Sequence, residues 1–346
     1  MRQLECIYTR RIHPLAQNTY LAPSHLAFDI PQASPITSPQ PHSSKLAPRS
    51  PTATRELALM HHYSTKVCLT FSATAISAST WKSFVVQEAL QHDFLMNGLL
   101  GLSALHIAVV GKAPLSEEYV KIALEYQNRG LASFHRALSD LTAENCNAGF
   151  AFSVIVMMGA VISMRLTEEG NEKGPIENAL LAFELLEGIR FVSKMGKQWL
   201  QPGPFGPVFD LWFLPASSPL DPSFQIALDQ LGILNDSMEA TQTEEQRAIF
   251  HAAISNLQTC FSKDKEMVLI WLAMAGKEFM SELRRARPMA MLIFLHWGVL
   301  LHRLNDEWWV VDSGKRLVEE LSMRLLSCAE ISVDATLWAR KQVGLI

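Results

Sequence analysis

The sequence has little charge and little strand-like alternation. Charged residues make up 18% of its 346 positions, whereas hydrophobic residues make up 49%. A chain of this composition can bury a large core, which excludes a solvated rod or a wholly disordered protein. Because no stretch alternates polar and apolar residues for long enough to form a convincing strand, the pattern predicts an all-α protein.

An excess of basic charge is also absent. The formal net charge is −4 at pH 7 and the isoelectric point is near 6.3. These values argue against a protein that coats nucleic acid along its whole length, although a local basic element stays compatible with them.

Cysteine is scarce and widely spaced. The five cysteines are Cys6, Cys68, Cys146, Cys260 and Cys328, and no two have a metal-ligand spacing such as CxxC. An odd number of isolated cysteines does not form a disulfide framework, so a reducing intracellular compartment is expected. The first residues also lack the apolar run of a secretory signal.

Only one apolar run invites interpretation as a membrane span. It extends from residue 148 to residue 164, near the lower length limit for crossing a bilayer, and it contains Ser153, Gly159 and Ser163. A helix that is apolar on all sides also suits the centre of a large helical domain. We therefore expect a core helix and no membrane span.

Composition divides the chain near residue 54. Residues 1–54 hold eight of the 17 prolines and few large apolar residues, which predicts a disordered Pro/Ser-rich linker. Residues 55–346 are predicted to form a single large multi-helical domain. A proline-rich loop at 201–222 separates its front and back halves.

Helical periodicity is clearest after Ser116, a predicted N-cap. One face of this helix is formed by Val120, Leu124, Gln127, Leu131, Phe134, Leu138 and Leu141. Further helices are predicted at 56–71, 80–90, 93–110, 144–166, 176–200, 245–262, 266–286, 289–304 and 308–328.

No motif predicts a catalytic or metal site. His61 and His62 are adjacent and would point about 100° apart on a helix, so a surface or hydrogen-bonded structural role is favoured over metal binding. The other histidines considered lie among apolar residues without a nucleophile or carboxylate partner: His92, His106, His296 and His302. We predict that the protein is not an enzyme and that it needs no cofactor.

Aromatic and methionine residues form the candidate ligand-binding set. Such side chains line adaptable apolar pockets, but they also fill ordinary cores, and both interpretations stay open. The candidates are Phe150, Phe152, Met157, Met158, Met164, Trp297, Trp308 and Trp309.

Several segments taken together carry a resemblance to a known family. LALMHHYSTKVC, HDFLMNGLLGLSALHIA, the stretch from EYVKIALEY to SVIVMMGA and ARPMAMLIFLHWGVLLHRLNDEWWV resemble the C-terminal regulatory domain of fungal binuclear zinc-cluster transcription factors, and most of all the sterol uptake control protein group. The resemblance implies an all-helical sensor domain with a hydrophobic pocket for a sterol or terpenoid-like ligand. It also implies nuclear action with shuttling from the cytoplasm, and partnership with other transcription factor chains or co-regulators.

Two departures from the family pattern qualify these expectations. In the late motif Trp-Trp-x-x-Gly-Trp-Gly, Asp312 and Ser313 replace the first Gly and the third Trp, which restricts a turn and removes apolar cover. Near the start, LECIY places Cys6 where the family has the last zinc ligand, followed by a similar linker. A lone thiol cannot hold tetrahedral zinc, so Cys6 is interpreted as a remnant of a truncated cluster, with zinc expected only if upstream cysteines exist.

The resulting functional prediction is a transcription regulator without its own intact DNA-binding module. It would control a metabolic or secondary-metabolite gene set and would not contact DNA directly. The alternatives are a hydrophobic small-molecule binding protein or an enzyme that reuses the apolar pocket.

Overall fold

The structure of the chain is a computed structural model. It describes residues 50–73, 76–111, 115–166, 175–211, 220–238, 241–263, 265, 267–328 and 330–346. In these ranges the regular structure is helical and no strand occurs, which confirms the all-α prediction. Cys6 and the rest of residues 1–49 lie outside the described residues.

Thirteen α-helices are described within these ranges. Their bounds are α1 Pro51–Thr65, α2 Val85–Gln91, α3 Asp93–Val110, α4 Leu115–Leu138, α5 Cys146–Leu166, α6 Pro175–Leu200, α7 Gly206–Asp210, α8 Pro222–Ser237, α9 Glu244–Phe261, α10 Met267–Arg284, α11 Pro288–His302, α12 Ser313–Leu326 and α13 Asp334–Gln342. A 3₁₀ segment, Val67–Ala73, follows α1, and a π-helical segment, Thr80–Phe84, leads into α2.

The chain divides into two units inside α1, residues 1–57 and residues 58–346. In the first unit, Ser50 caps the helix: the Ala53 amide donates to Ser50 Oγ at 3.1 Å, and Pro51 occupies the first helical position. The helix thus begins before the predicted domain boundary at 54/55, which itself stays a prediction.

The second unit is built around three helices that are apolar on nearly every side. The first of these, α3, packs against α4 and α5, and α5 packs against α6. The third is α11, in which 13 of the 15 residues are buried and which packs against α9, α10, α12 and α13. Contacts of α6 with α10 and α12 join the front and back groups of helices.

Within the described residues, one helix is long and apolar enough by composition to cross a membrane. It is α3 rather than the run at 148–164, and 61% of it is buried inside the protein. Both apolar segments lie in the packed interior here, as core helices do.

The region around residue 308 differs from the predicted helix 308–328. Residues 303–312 form consecutive turns, and α12 begins only at Ser313. The cause is local, because Asp312 adopts the left-handed conformation with φ 59°, which a helix cannot accommodate. The helices α7, α8 and α13 were not predicted. The short helix α7 lies inside the predicted loop 201–222, and Asp221 caps α8 through the Ser223 amide with Pro222 after it.

Candidate functional site

The crossing of α3, α4 and α5 is made possible by two glycines around one ring. A Cβ placed on Gly98 would lie 2.8 Å from Cδ2 of Phe152, and one placed on Gly130 would lie 2.8 Å from its Cε2. Because the Phe152 ring fills this space, a residue larger than glycine at position 98 or 130 would collide with it. This arrangement is called the front crossing below.

Phe152 also belongs to a buried aromatic cluster. Its ring centroid lies 5.6 Å from that of Phe94 in an edge-to-face contact and 4.8 Å from that of Phe134. Such contacts are favourable beyond the apolar area they bury. The cluster fixes the position of the ring that holds the front crossing together.

A small cavity adjoins this ring. Its volume is about 20 Å³, room for roughly one water molecule. The lining is almost entirely apolar, with Gln127 as its polar member, and consists of Gly98, Gly101, Leu102, Leu105, Ala123, Gln127, Phe152, Ile155, Val156 and Gly159. In its present form the cavity is far smaller than the roughly 300 Å³ or more of a typical ligand pocket.

A second aromatic group lies in the back of the molecule and is fixed by hydrogen bonds. Trp297 stacks on Phe294 with centroids 4.9 Å apart, and Trp271 stacks on Trp297 at 5.9 Å. The indole N–H of Trp297 donates to the Val268 carbonyl at 2.9 Å, and that of Trp271 donates to the Ala253 carbonyl at 3.2 Å. Both indoles are fully buried and are satisfied as structural members of the core.

Close backbone contact defines the crossing of α11 and α12, called the rear crossing below. A Cβ on Gly314 would lie 2.6 Å from the Gly298 carbonyl oxygen and 2.6 Å from the His302 amide nitrogen. The turn before it depends on Asp312, whose amide donates to Asn305 Oδ1 at 2.7 Å. Ser313, in place of the family's tryptophan, is buried.

A pair of histidines joins α1 to α3. His62 Nε2 lies 3.1 Å from His106 Nδ1, and the two rings meet edge to face. Burial lowers the pKa of His62 and lowers that of His106 to about 4, because a charged imidazolium would lose its hydration. The Trp308 ring packs on His106 at 4.6 Å, and its N–H donates to Thr70 Oγ1 at 2.8 Å.

The structure separates the predicted ligand-binding residues into distinct places. Of the predicted set, Phe152 lines the cavity, whereas Phe150 packs on Phe205 with centroids 4.9 Å apart. Met157, Met158 and Trp309 are buried. The side chain of Met164 lies outside the described residues. Trp297 and Trp308 belong to the two groups described above, so these residues are not assembled around a single cavity here, and their ligand-binding role stays a prediction.

The buried titratable groups have structural surroundings. His296 is fully buried, with Nδ1 2.9 Å from the Leu292 carbonyl, and burial lowers its pKa to about 4. Burial raises the pKa of the Cys146 thiol to about 11 and that of Cys260 to about 12, which makes both poor nucleophiles. In the described ranges, no group of three or more His, Cys, Asp or Glu side chains is arranged to hold a metal ion.

Sequence reasoning missed the contacts that depend on the fold. His62 and His106 are 44 residues apart, and only the folded structure brings them together. Either a surface or a hydrogen-bonded position was predicted for His61 and His62; His61 is exposed and His62 is hydrogen-bonded. The GLLG spacing of Gly98 and Gly101 was the available signal for close helix packing in α3.

Comparison with known proteins matches the region that contains the front crossing. The fungal specific transcription factor domain family matches residues 58–168, which extend from α1 to the end of α5 and beyond. A Zn(2)-C6 fungal-type transcription factor of Gibberella zeae is 24% identical over 290 aligned residues, and the match covers 76% of this chain and 56% of that protein. Sterol uptake control protein 2 of Saccharomyces cerevisiae is 28% identical over 107 residues, which cover 31% of this chain and 11% of that protein.

The chain thus spans little more than half the length of the first relative and about a ninth of the second. These matches confirm the resemblance predicted from the sequence: residues 58–168 match the fungal specific transcription factor domain family, within a chain similar to a Zn(2)-C6 fungal-type transcription factor.

Proposed function

We propose that the protein is a transcription regulator whose helical body, residues 55–346, acts as the regulatory domain. The observation that carries this proposal is the match of residues 58–168, which include the front crossing, to the fungal specific transcription factor domain family. The site of action would be the nucleus, with entry from the cytoplasm, and the targets would be a metabolic or secondary-metabolite gene set.

Contact with DNA is proposed to come from another polypeptide or from a longer form of this one. The cysteines that would have to join Cys6 in a zinc cluster belong to different elements: Cys68, Cys146 and Cys260 are buried in separate helical segments, and Cys328 follows α12. Six cysteines close together in sequence are needed for the binuclear cluster, and these four do not supply them.

A hydrophobic ligand is a second candidate, favoured by the apolar cavity beside Phe152. Because the cavity holds about 20 Å³, a sterol or terpenoid-sized ligand would have to displace side chains, and the Phe152 ring is the one that fills the space between Gly98 and Gly130. Binding would then alter the packing of α3, α4 and α5, which is how a ligand could change the activity of the domain. No contact among the described residues favours the enzymatic alternative.

A tethering experiment tests the regulatory proposal. The full chain is fused to a foreign DNA-binding domain and expressed in a fungal reporter strain, with the unfused domain as the baseline. We expect the fusion to change reporter output, and the Gly130→Val fusion to lose the effect because valine cannot share the front crossing with Phe152.

A matched control keeps the outcome interpretable. Asn128→Ala alters an exposed position on the same helix, α4, and should retain full reporter activity. A reporter level equal to the baseline in the wild-type fusion, with or without added sterols and terpenoids, would overturn the proposal.

A further inference from the structure

The nitrogen separation in the histidine pair between α1 and α3 falls in the range of a two-point chelate. Two imidazole nitrogens that bind the same ion at 2.0–2.1 Å stand about 2.9 Å apart at a right angle and about 3.3 Å apart at the tetrahedral angle. His62 Nε2 and His106 Nδ1 are 3.1 Å apart, between these two values. We propose that His62 and His106 form a binding site for a borderline divalent transition-metal ion, of the class of Ni²⁺, Cu²⁺ or Zn²⁺.

The protonation state of the pair suits metal binding. Only a neutral imidazole offers a lone pair to a metal, and the hydrogen bond between the two rings already requires an unprotonated nitrogen on the accepting ring. At present one ring donates a hydrogen bond to the other. On metal binding the donor ring would carry its proton on its other nitrogen, so no net proton is released.

Access and chemistry decide which ions fit. Both side chains are half-buried rather than sealed, so an ion can enter with its remaining positions occupied by water. Imidazole nitrogens favour Ni²⁺, Cu²⁺ and Zn²⁺, whereas Mg²⁺ and Ca²⁺ prefer oxygen ligands. With only two protein ligands and Lys66 near His62, the site is expected to bind reversibly rather than as a structural zinc site.

An ion at this place would link two helices of the protein. His62 lies on α1 and His106 on α3, with Trp308 packed against His106. An ion held by both rings would tie α1 to the core at the start of the matched domain. The inference therefore goes beyond the regulatory role proposed above and does not depend on it.

Thermal unfolding of the full, untagged chain in a series of Ni²⁺ concentrations tests the site. We expect the unfolding midpoint to rise with Ni²⁺ but not with Mg²⁺, since an ion that binds only the folded state stabilises it. His62→Gln and His106→Gln should each weaken the apparent Ni²⁺ affinity at least tenfold. His61→Gln, one residue away on an exposed side of the same helix, should leave it unchanged.

The Ni²⁺ titrations either support the metal site or overturn it. Equal Ni²⁺ dependence in wild type, His62→Gln and His106→Gln would overturn it, as would the lack of any Ni²⁺ effect on the wild type. Circular dichroism first checks that the variants are folded. If His106→Gln fails to fold, the more exposed His62→Gln decides alone.

Discussion

The front and rear crossings both rely on glycine, but the nearest obstacle to a larger residue differs: it is a side chain at Gly98 and Gly130 and backbone at Gly314. At the front crossing, the group that a Cβ on Gly98 or Gly130 would meet first is the Phe152 side chain. At the rear crossing, Gly314 meets the backbone of α11 at Gly298 and His302. A side chain can change rotamer or shift, whereas two helix backbones in contact can only move apart.

The front crossing can therefore adjust through the Phe152 ring, whereas the contact of Gly314 with the α11 backbone at the rear crossing has no such side chain to move. A cavity lies beside Phe152, so its ring has some space to move into. Around the rear crossing, α11 is buried almost along its whole length and packs against four other helices. We therefore expect a conformational change of the helical domain to begin at the front crossing, within residues 58–168, which match the family.

The largest expected effect is that of Phe152→Ala. Removal of the ring should lower the free energy of unfolding by about 3–5 kcal/mol, because the lost contacts add to a cavity that already exists. The enlarged apolar space should also bind benzene, which would raise the unfolding midpoint. Urea unfolding with and without benzene measures both.

Phe134→Ala is the matched control for this prediction. Phe134 is equally buried in the same aromatic cluster but does not line the cavity. Its removal should destabilise the protein to a similar degree with a smaller response to benzene. If benzene raised the unfolding midpoint equally in both variants, the existing cavity beside Phe152 would not be the reason for benzene binding.

In the back of the molecule, the buried His296 on α11 should make stability depend on pH. Burial lowers the pKa of His296 from its ordinary value near 6.5 to about 4. Between these two pH values the histidine is protonated in the unfolded chain but stays neutral in the folded protein. The free energy of unfolding should therefore fall as pH drops from about 6.5 to 4, by on the order of 3 kcal/mol from this group.

The variant His296→Leu separates this contribution from the rest of the acid response. Leucine does not titrate, so the variant should lose less stability than the wild type between pH 6.5 and 4. Chemical unfolding at several pH values provides the comparison. Parallel pH profiles for the two proteins would contradict the role of His296.

A direct comparison of the crossings comes from one methyl group added to each. Gly314→Ala should cost about 2 kcal/mol and Gly98→Ala about 1 kcal/mol, since overpacking costs more when the obstructing atoms belong to backbone. The Phe152 ring can shift toward the cavity, whereas the Gly298 carbonyl cannot move without α11. Urea midpoints measured side by side check the order, and equal costs would remove the distinction between the two crossings.

Much of the fold follows from residue patterns, because α3, α5 and α11 are apolar on nearly every side and α4 has an apolar face of regular period. Other elements had local signals that went unused: Ser50 with Pro51 begins α1, and Asp221 with Pro222 begins α8. The site could not be predicted in the same way. Phe152 was among the predicted residues, but its place between two glycines depends on how three helices cross.

The turn before the rear crossing was predictable in part from the sequence and in part only from the fold. The replacement of the family's glycine by Asp312 was visible in the sequence, and it predicted a restricted turn. The structure assigns that restriction to a left-handed backbone at Asp312, with φ 59° and ψ −5°, which glycine adopts at lower cost than other residues.

The smallest effect, and the only stabilising one, is thus expected from Asp312→Gly. Relief of the left-handed strain is partly offset by the greater entropy of glycine in the unfolded chain, so the free energy of unfolding should rise by only about 0.5 kcal/mol. The amide that donates to Asn305 Oδ1 is retained, so the turn keeps its hydrogen bond. Asp312→Ala serves as the control, since alanine keeps the strain and should not stabilise the protein. If the alanine variant gained as much stability as the glycine variant, side-chain charge rather than backbone conformation would govern the turn.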